Sequence, residues 1–131
     1  MKVFSKMIDV QTFGPMELFP LRKTIEGIVA ESGIGFGSML ISVEGATPAI
    51  VILEKGFEKR LIQLLETLVP FTIWRHGNAY AHLISTFIST SIALPIENGN
   101  ILLDEGYEIF LLETRAVYNH KRKLAIHIHG E

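Results

Sequence analysis

The 131-residue chain contains no cysteine, which excludes disulfide bonds and thiolate metal sites. Any zinc ion would therefore have to bind to histidine, aspartate or glutamate. No apolar run approaches the roughly 18 residues needed to cross a bilayer, and the N-terminus lacks the small-residue cleavage site of a signal peptide. The formal net charge is −2 at pH 7, so no overall positive field favours nucleic acid. These absences predict a cytoplasmic protein that binds neither membranes nor nucleic acids.

Common catalytic motifs are also missing. The chain has no G-x-S-x-G nucleophile setting and no G-x-x-x-x-G-K-[ST] phosphate loop. The glycine-rich stretch 33–37 (GIGFG) follows a helical pattern and precedes a strand pattern, which is the reverse of the order that a dinucleotide fingerprint requires. We therefore do not interpret it as a nucleotide site.

The chain has no repeat, low-complexity stretch or linker, which predicts a single domain over residues 1–131. Hydrophobic residues make up 48% of it, a high share for this length. A monomer of this size would leave part of that apolar surface uncovered, so we expect self-association.

Three segments show helical periodicity. The first begins after Pro20 and ends at Gly33, and the second runs from Phe57 to Leu68. The third begins near Asn78, a suitable N-cap, and His82 lies off its apolar stripe. That stripe consists of Tyr80, Leu83, Ile84, Phe87 and Ile88.

Strand patterns occupy most of the remaining chain. Asn98-Gly99 between two apolar runs predicts a hairpin turn. The final strand alternates, with Leu124, Ile126 and Ile128 on one face. These patterns predict the α+β fold class, an antiparallel β-sandwich with about three interspersed helices. The predicted strands cover residues 2–12, 38–43, 49–53, 91–96, 101–103, 107–113 and 123–129.

The segment 74–85 (WRHGNAYAHLIS) is the first candidate site. Arg75, His76 and Asn78 precede a helix N-terminus, where free backbone N–H groups favour anions and an arginine suits phosphate. The alternative is an ordinary capped loop with a solvated arginine. The neutral imidazole of His82 suits a metal ion or proton transfer, although a helix-surface histidine would give the same pattern.

Other charged and imidazole groups leave alternatives open. Glu54 supplies a carboxylate either to the same site or to the positive end of the following helix. His127 and His129 share one strand face and could bind zinc with His120, His76 or a carboxylate. An exposed or trimer-interface strand face is the favoured interpretation, because two ligands at this spacing are not enough for a site. The basic stretch 119–123 (NHKRK) predicts a solvated turn.

Several stretches together resemble one known family. They are AESG at 30–33, the apolar strand that ends in Glu54, LLETLVP at 64–70, GNAYAHL at 77–83, STSIALPIENGNILL at 89–103 and HGE at 129–131. In this order and spacing they are similar to the YjbQ family, also called the secondary thiamine-phosphate synthase family, over nearly the whole chain.

The resemblance implies a small α+β sandwich that assembles as a homotrimer. It further implies a polar, often metal-occupied site near subunit boundaries. The implied activity is a weak thiamine-phosphate synthase reaction that couples a thiazole phosphate to a pyrimidine pyrophosphate.

The family pattern is only partly retained. Tyr80 stands where the family has the first histidine of a pair, and His76 stands where it has an acidic residue. The family's LGTWQ stretch corresponds to 103–107, without its tryptophan and glutamine. The resemblance implies that His82 and Glu54 are catalytic, that His82 binds a divalent metal ion, most readily zinc, and that a phosphorylated ligand contacts Arg75, His76, Asn78 and Thr47.

We therefore expect a divergent member that binds a small phosphorylated metabolite, with weak or lost synthase activity. The alternative is a non-catalytic structural or regulatory subunit of a trimer.

Overall fold

A computed structural model describes residues 1–72 and 77–131 of the chain. The described residues form eight strands and three helices, and every strand pair is antiparallel. The predicted α+β sandwich is confirmed. The elements are β1 (Lys2–Thr12), β2 (Glu17–Pro20), α1 (Arg22–Ser32), β3 (Gly37–Val43), β4 (Ala49–Glu54), α2 (Glu58–Leu68), α3 (Ala79–Ile88), β5 (Ser91–Glu97), β6 (Asn100–Ile101), β7 (Tyr107–Glu113) and β8 (His120–Gly130).

The strands form two sheets that pack against each other. The large sheet has the strand order β1-β8-β3-β5-β6, and the small sheet has the order β2-β7-β4. Their facing sides enclose the main core, where Ile41 and Ile126 of the large sheet meet Ile109 and Leu111 of the small one. Helix α1 adds Ile25, which is also fully buried.

Helices α2 and α3 cover the outer face of the small sheet. Val51 and Phe110 alternate along their strands with residues that face the main core, and they pack with Leu65 of α2 and Ile84 of α3. The small sheet is therefore covered on both faces, as the continuous apolar run at 49–53 predicts. None of the described helices is long and apolar enough to cross a membrane.

Helix α3 begins where the sequence predicts. Asn78 is its N-cap residue, although its side chain makes no capping hydrogen bond. The buried stripe passes through Tyr80, Ala81, Ile84 and Ser85. Phe87 falls on the flank of this stripe and is 71% exposed, so its predicted place in the core is wrong.

The strand boundaries differ from prediction at three places. The four-residue strand β2 was not expected, and β6 is shorter than predicted. Strand β8 begins at His120 because the long edge strand β1 pairs with it along its whole length. The Asn98-Gly99 turn is confirmed: both residues have positive φ, and Glu97 pairs with Asn100 across them.

The glycine-rich stretch 33–37 has a packing role. The amides of Gly35 and Phe36 donate to the main-chain oxygen of Glu131, at 2.8 and 3.1 Å. A Cβ atom at Gly37 would lie 2.1 Å from the carbonyl oxygen of His129. The glycines thus allow the start of β3 to approach the end of β8.

Candidate functional site

One end of the sandwich encloses a group of buried polar side chains, which we call the Glu113 cluster. Thr12 ends β1, Glu113 ends β7, and Arg122 lies near the start of β8. Thr47 precedes β4, and Thr114 follows β7. All five are at most 7% exposed, and among the described residues the only other buried polar side chain is that of Ser85.

Glu113 and Arg122 form the centre of the cluster. The Nε atom of Arg122 donates to Oε1 of Glu113 at 2.8 Å, and its Nη2 atom donates to Oε2 at 2.6 Å. The hydroxyl group of Thr12 donates to Oε1 at 2.7 Å, and the amide of Arg115 donates to Oε2 at 3.3 Å. Nη2 also donates to the hydroxyl oxygen of Thr47 at 3.1 Å. The fully buried carboxylate is therefore surrounded by donors.

These contacts determine the charge of Glu113. Burial alone raises the pKa of its carboxyl group, because desolvation disfavours the charged form. The hydrogen bonds from Arg122 and Thr12 and the charge of Arg122 outweigh that effect and lower the pKa below its ordinary value. Glu113 is therefore ionised at neutral pH, and it pairs with a permanently charged guanidinium group.

The third nitrogen of Arg122 lies at a surface cavity of about 280 Å³, which we call the Arg122 cavity. Its Nη1 atom makes no hydrogen bond to another described residue. A Cβ atom on Gly45 would lie 3.2 Å from Nη1, so this nitrogen lies beside a glycine that lines the same cavity. The cavity is lined by Glu44, Gly45, Lys121, Arg122 and Lys123.

Of the sequence-predicted site residues, Thr47 lies in the Glu113 cluster. Tyr80, in the first turn of α3, donates its hydroxyl hydrogen to the carbonyl oxygen of Thr114 at 2.8 Å. Asn78 therefore lies at a helix end that packs beside the cluster. His82 is exposed on the outer side of the same helix. Arg75 and His76 lie outside the described residues.

Glu54 is not brought to this end of the fold. Glu54 is the last residue of β4, whereas Thr47 lies just before the strand begins. The five steps along this six-residue strand span roughly 17 Å, at about 3.3 Å each. Glu54 is exposed and lines a different cavity of about 360 Å³, together with Phe57, Arg60 and Tyr107. The structure thus separates Glu54 from Thr47.

The histidines of β8 lie on the outer face of the large sheet. Nδ1 of His127 is 2.9 Å from the hydroxyl of Ser5, and Nε2 of His129 is 3.5 Å from that of Ser38. Within residues 1–72 and 77–131, no three histidine, aspartate or glutamate side chains come together in a metal-binding arrangement. His76 lies outside the described residues, and the zinc site stays a prediction.

Sequence reasoning missed Thr12, Glu113 and Arg122. The prediction of a solvated turn at 119–123 is wrong for Arg122, because β8 includes it and buries it. The available signal was periodicity: Arg122 lies two residues before Leu124, on the same strand face as the buried isoleucines. Glu113 gave a similar signal, since it directly follows the apolar run 109–112.

Comparison with known proteins settles the family. The family model described as UPF0047 protein YjbQ-like matches residues 6–131. The chain belongs to the YjbQ/UPF0047 family. A UPF0047 protein of Archaeoglobus fulgidus is 32% identical over 113 residues, which cover 81% of this chain and 87% of the relative. A UPF0047 protein of Methanothermobacter thermautotrophicus is 25% identical, with 96% and 93% covered.

Two solved structures have the same architecture. The crystal structure of a protein of unknown function from Sulfolobus solfataricus P2 matches with a TM-score of 0.93 and 31% identity, covering 99% of each chain. A hypothetical protein from Aeropyrum pernix K1 matches with a TM-score of 0.87 over the whole of both chains. Its identity of 22% supports the fold alone. The YjbQ/UPF0047 family is one of uncharacterised function, so the site must be argued from its own chemistry.

Proposed function

We propose that this YjbQ-family protein binds a small phosphorylated molecule in the Arg122 cavity. The observation that carries the proposal is the Nη1 atom of Arg122, which is held at the cavity without a partner among the described residues. Its guanidinium plane is fixed from behind by Glu113, so little side-chain entropy remains to be lost when an anion binds.

The neighbouring side chains suit a phosphate group. Lys121 and Lys123 are exposed, line the same cavity and supply mobile cations, whereas Nη1 supplies a fixed donor. Glu44 is the acidic residue of the lining, and the charged lining residues together carry a net formal charge of +2. A cavity of about 280 Å³ is at the small end for ligand sites, which favours a phosphoryl or diphosphoryl group over a whole nucleotide.

We propose binding rather than efficient synthase turnover. Glu54 lies at the opposite end of β4 from the cavity, so it does not contribute a carboxylate to a ligand held by Arg122. His82 is exposed on α3 and does not line the cavity. Replacement of His82 by alanine is therefore expected to leave pyrophosphate binding nearly unchanged, whereas a His82-centred metal or phosphate site predicts its loss.

Calorimetric titration with inorganic pyrophosphate tests the proposal. We expect saturable binding by the wild-type protein and at least tenfold weaker binding by the variant Lys121→Gln/Lys123→Gln. The matched control is Lys59→Gln, which removes an exposed lysine on α2. If the wild type does not bind pyrophosphate, or if the control weakens binding as much as the double variant, the proposal is wrong.

The second candidate function is a non-catalytic subunit of a homotrimer. Its support is the outer face of the large sheet, which no described element covers. Val3, Met7 and Leu40 on this face are 76%, 60% and 46% exposed. The three rows of side chains around them hold no lysine, arginine, aspartate or glutamate, consistent with an interface core. These rows are Val3–His129–Ser38–Pro95, Ser5–His127–Leu40–Ala93 and Met7–Ala125–Ser42–Ser91.

Light scattering tests this candidate. The chain mass is 14.7 kDa, and we expect three times that mass in solution for the wild type. Leu40→Asp should reduce the mass to that of a monomer, whereas Leu64→Asp, at an exposed position of α2, should not. A wild-type monomer would refute the assembly. Plasma mass spectrometry on the same sample tests the predicted zinc ion.

A further inference from the structure

Glu113 pairs with the arginine of the proposed site, so its charge affects a bound ligand as well as the fold. Glu113 occupies the Nε and Nη2 side of Arg122, opposite the nitrogen that lies at the cavity. An anion that binds Nη1 therefore approaches a guanidinium group whose charge is already compensated from behind. It experiences the positive end of an ion-pair dipole and not a full positive charge.

We propose that Glu113 lowers the positive potential of the Arg122 cavity and thereby weakens anion binding there, most strongly for the anions that carry the most charge. This inference rests on the proposed function. With Glu113 included, the five charged side chains at the cavity carry a net formal charge of +1. They are Glu44, Glu113, Lys121, Arg122 and Lys123.

The effect of Glu113 on binding depends on the charge of the ligand. Coulomb attraction scales with the product of the charges, whereas each anion also loses hydration when it enters the cavity. A monovalent anion such as acetate gains little from a weakly positive cavity. Pyrophosphate carries several negative charges, so the negative charge of Glu113 lowers its affinity more than that of acetate.

A purely structural role for Glu113 predicts the opposite mutational result. If Glu113 served only to hold Arg122 in place, its loss would free the guanidinium group and weaken ligand binding. If it lowers the potential, Glu113→Gln removes a buried negative charge behind the cavity and strengthens anion binding, even while it weakens the fold. Affinity and stability then change in opposite directions, which a positioning contact does not produce.

The test compares pyrophosphate, phosphate and acetate binding by calorimetry in wild type and Glu113→Gln. We expect the variant to bind pyrophosphate at least tenfold more tightly, with a smaller gain for phosphate and detectable binding of acetate. Thermal unfolding of the same samples establishes that the variant is folded. Equal or weaker pyrophosphate binding by a folded variant overturns the inference.

A second pair of variants covers the case in which Glu113→Gln does not fold. Arg122→Lys keeps a positive charge beside Glu113, which therefore stays ionised, whereas Arg122→Lys/Glu113→Gln removes the negative charge. We expect the double variant to bind pyrophosphate at least tenfold more tightly than Arg122→Lys. Equal binding by the two would overturn the inference, whereas failure of the wild type to bind pyrophosphate would refute the proposed function itself.

Discussion

Replacement of Arg122 by methionine tests the energetics of the buried ion pair. Methionine retains much of the apolar volume of the arginine side chain but leaves Glu113 with two donors, the hydroxyl of Thr12 and the amide of Arg115. The side chain of Glu113 is 0% exposed and that of Arg122 is 8% exposed, so solvent screens the pair very little. Removing one partner of a buried pair costs about 3–5 kcal/mol, which is a large share of a typical stability of about 5–15 kcal/mol.

Urea denaturation at pH 7.5 measures this loss, provided that the slope of the transition is unchanged. The matched control is the double variant Arg122→Met/Glu113→Leu, which removes both charges. Replacing a buried pair by apolar residues is often neutral, so the double variant should recover at least ~2 kcal/mol of the loss. A loss below ~1 kcal/mol for Arg122→Met, or a double variant as unstable as the sum of the single ones, would refute the reasoning.

The pH dependence of the stability of Arg122→Met provides a further test. Without Arg122 the main remaining influence is burial, which raises the pKa of Glu113 above its unfolded value. A group with a raised native pKa stabilises the fold at low pH, and this contribution disappears as the pH rises through that value. The stability deficit of Arg122→Met should therefore be smaller at pH 5 than at pH 8. An equal deficit at both values would show that the carboxylate keeps its ionised state by other means.

Three further predictions concern the wild type and the core. In the wild type the lowered pKa of Glu113 predicts stability that is fully present above the ordinary glutamate value near 4 and lost below it, as urea midpoints between pH 7 and pH 3 would show. Gly37→Ala should lower the melting temperature, because its Cβ would lie 2.1 Å from a backbone oxygen of β8, whereas Gly35→Ala, with 3.8 Å of space, should change it little. Leu111→Ala should cost about 2–5 kcal/mol in urea, against less than about 0.5 kcal/mol of packing energy for Leu64→Ala at its 53% exposed position. Equal losses in either matched pair would contradict the packing described here.

Elements with strong local signals could be predicted from the sequence. Helix α2 has one apolar face and a proline two residues beyond its last residue. The hairpin at Asn98-Gly99 needs two residues with positive φ, which asparagine and glycine adopt readily. In both cases the residues that determine the structure are close together in the chain, so the pattern is visible without knowledge of the fold.

Elements stabilised by distant partners could not be predicted in this way. Strand β2 has four residues and ends in Pro20, and it becomes a strand only because Glu17 pairs with Glu113 in β7. The Glu113 cluster has the same origin. The hydrogen bond from Thr12 to Glu113 joins residues 101 positions apart, and that from Arg122 to Thr47 joins residues 75 positions apart. Resemblance to the YjbQ family identified Thr47 as a candidate site residue, but only the fold shows that its partner is Arg122.

Tyr80 links the start of α3 to the Arg122 cavity, where we place the ligand. It stands where the family resemblance implies a histidine. Burial raises the pKa of its phenol group above the ordinary value, so the phenol is neutral and donates to Thr114. Thr114 in turn donates its hydroxyl hydrogen to the carbonyl oxygen of Thr47 at 2.6 Å, and Thr47 accepts from Arg122. Through Thr114 and Thr47, the hydrogen bond of Tyr80 thus connects the start of α3 to Arg122. The start of α3 therefore helps to hold Thr47 beside Arg122.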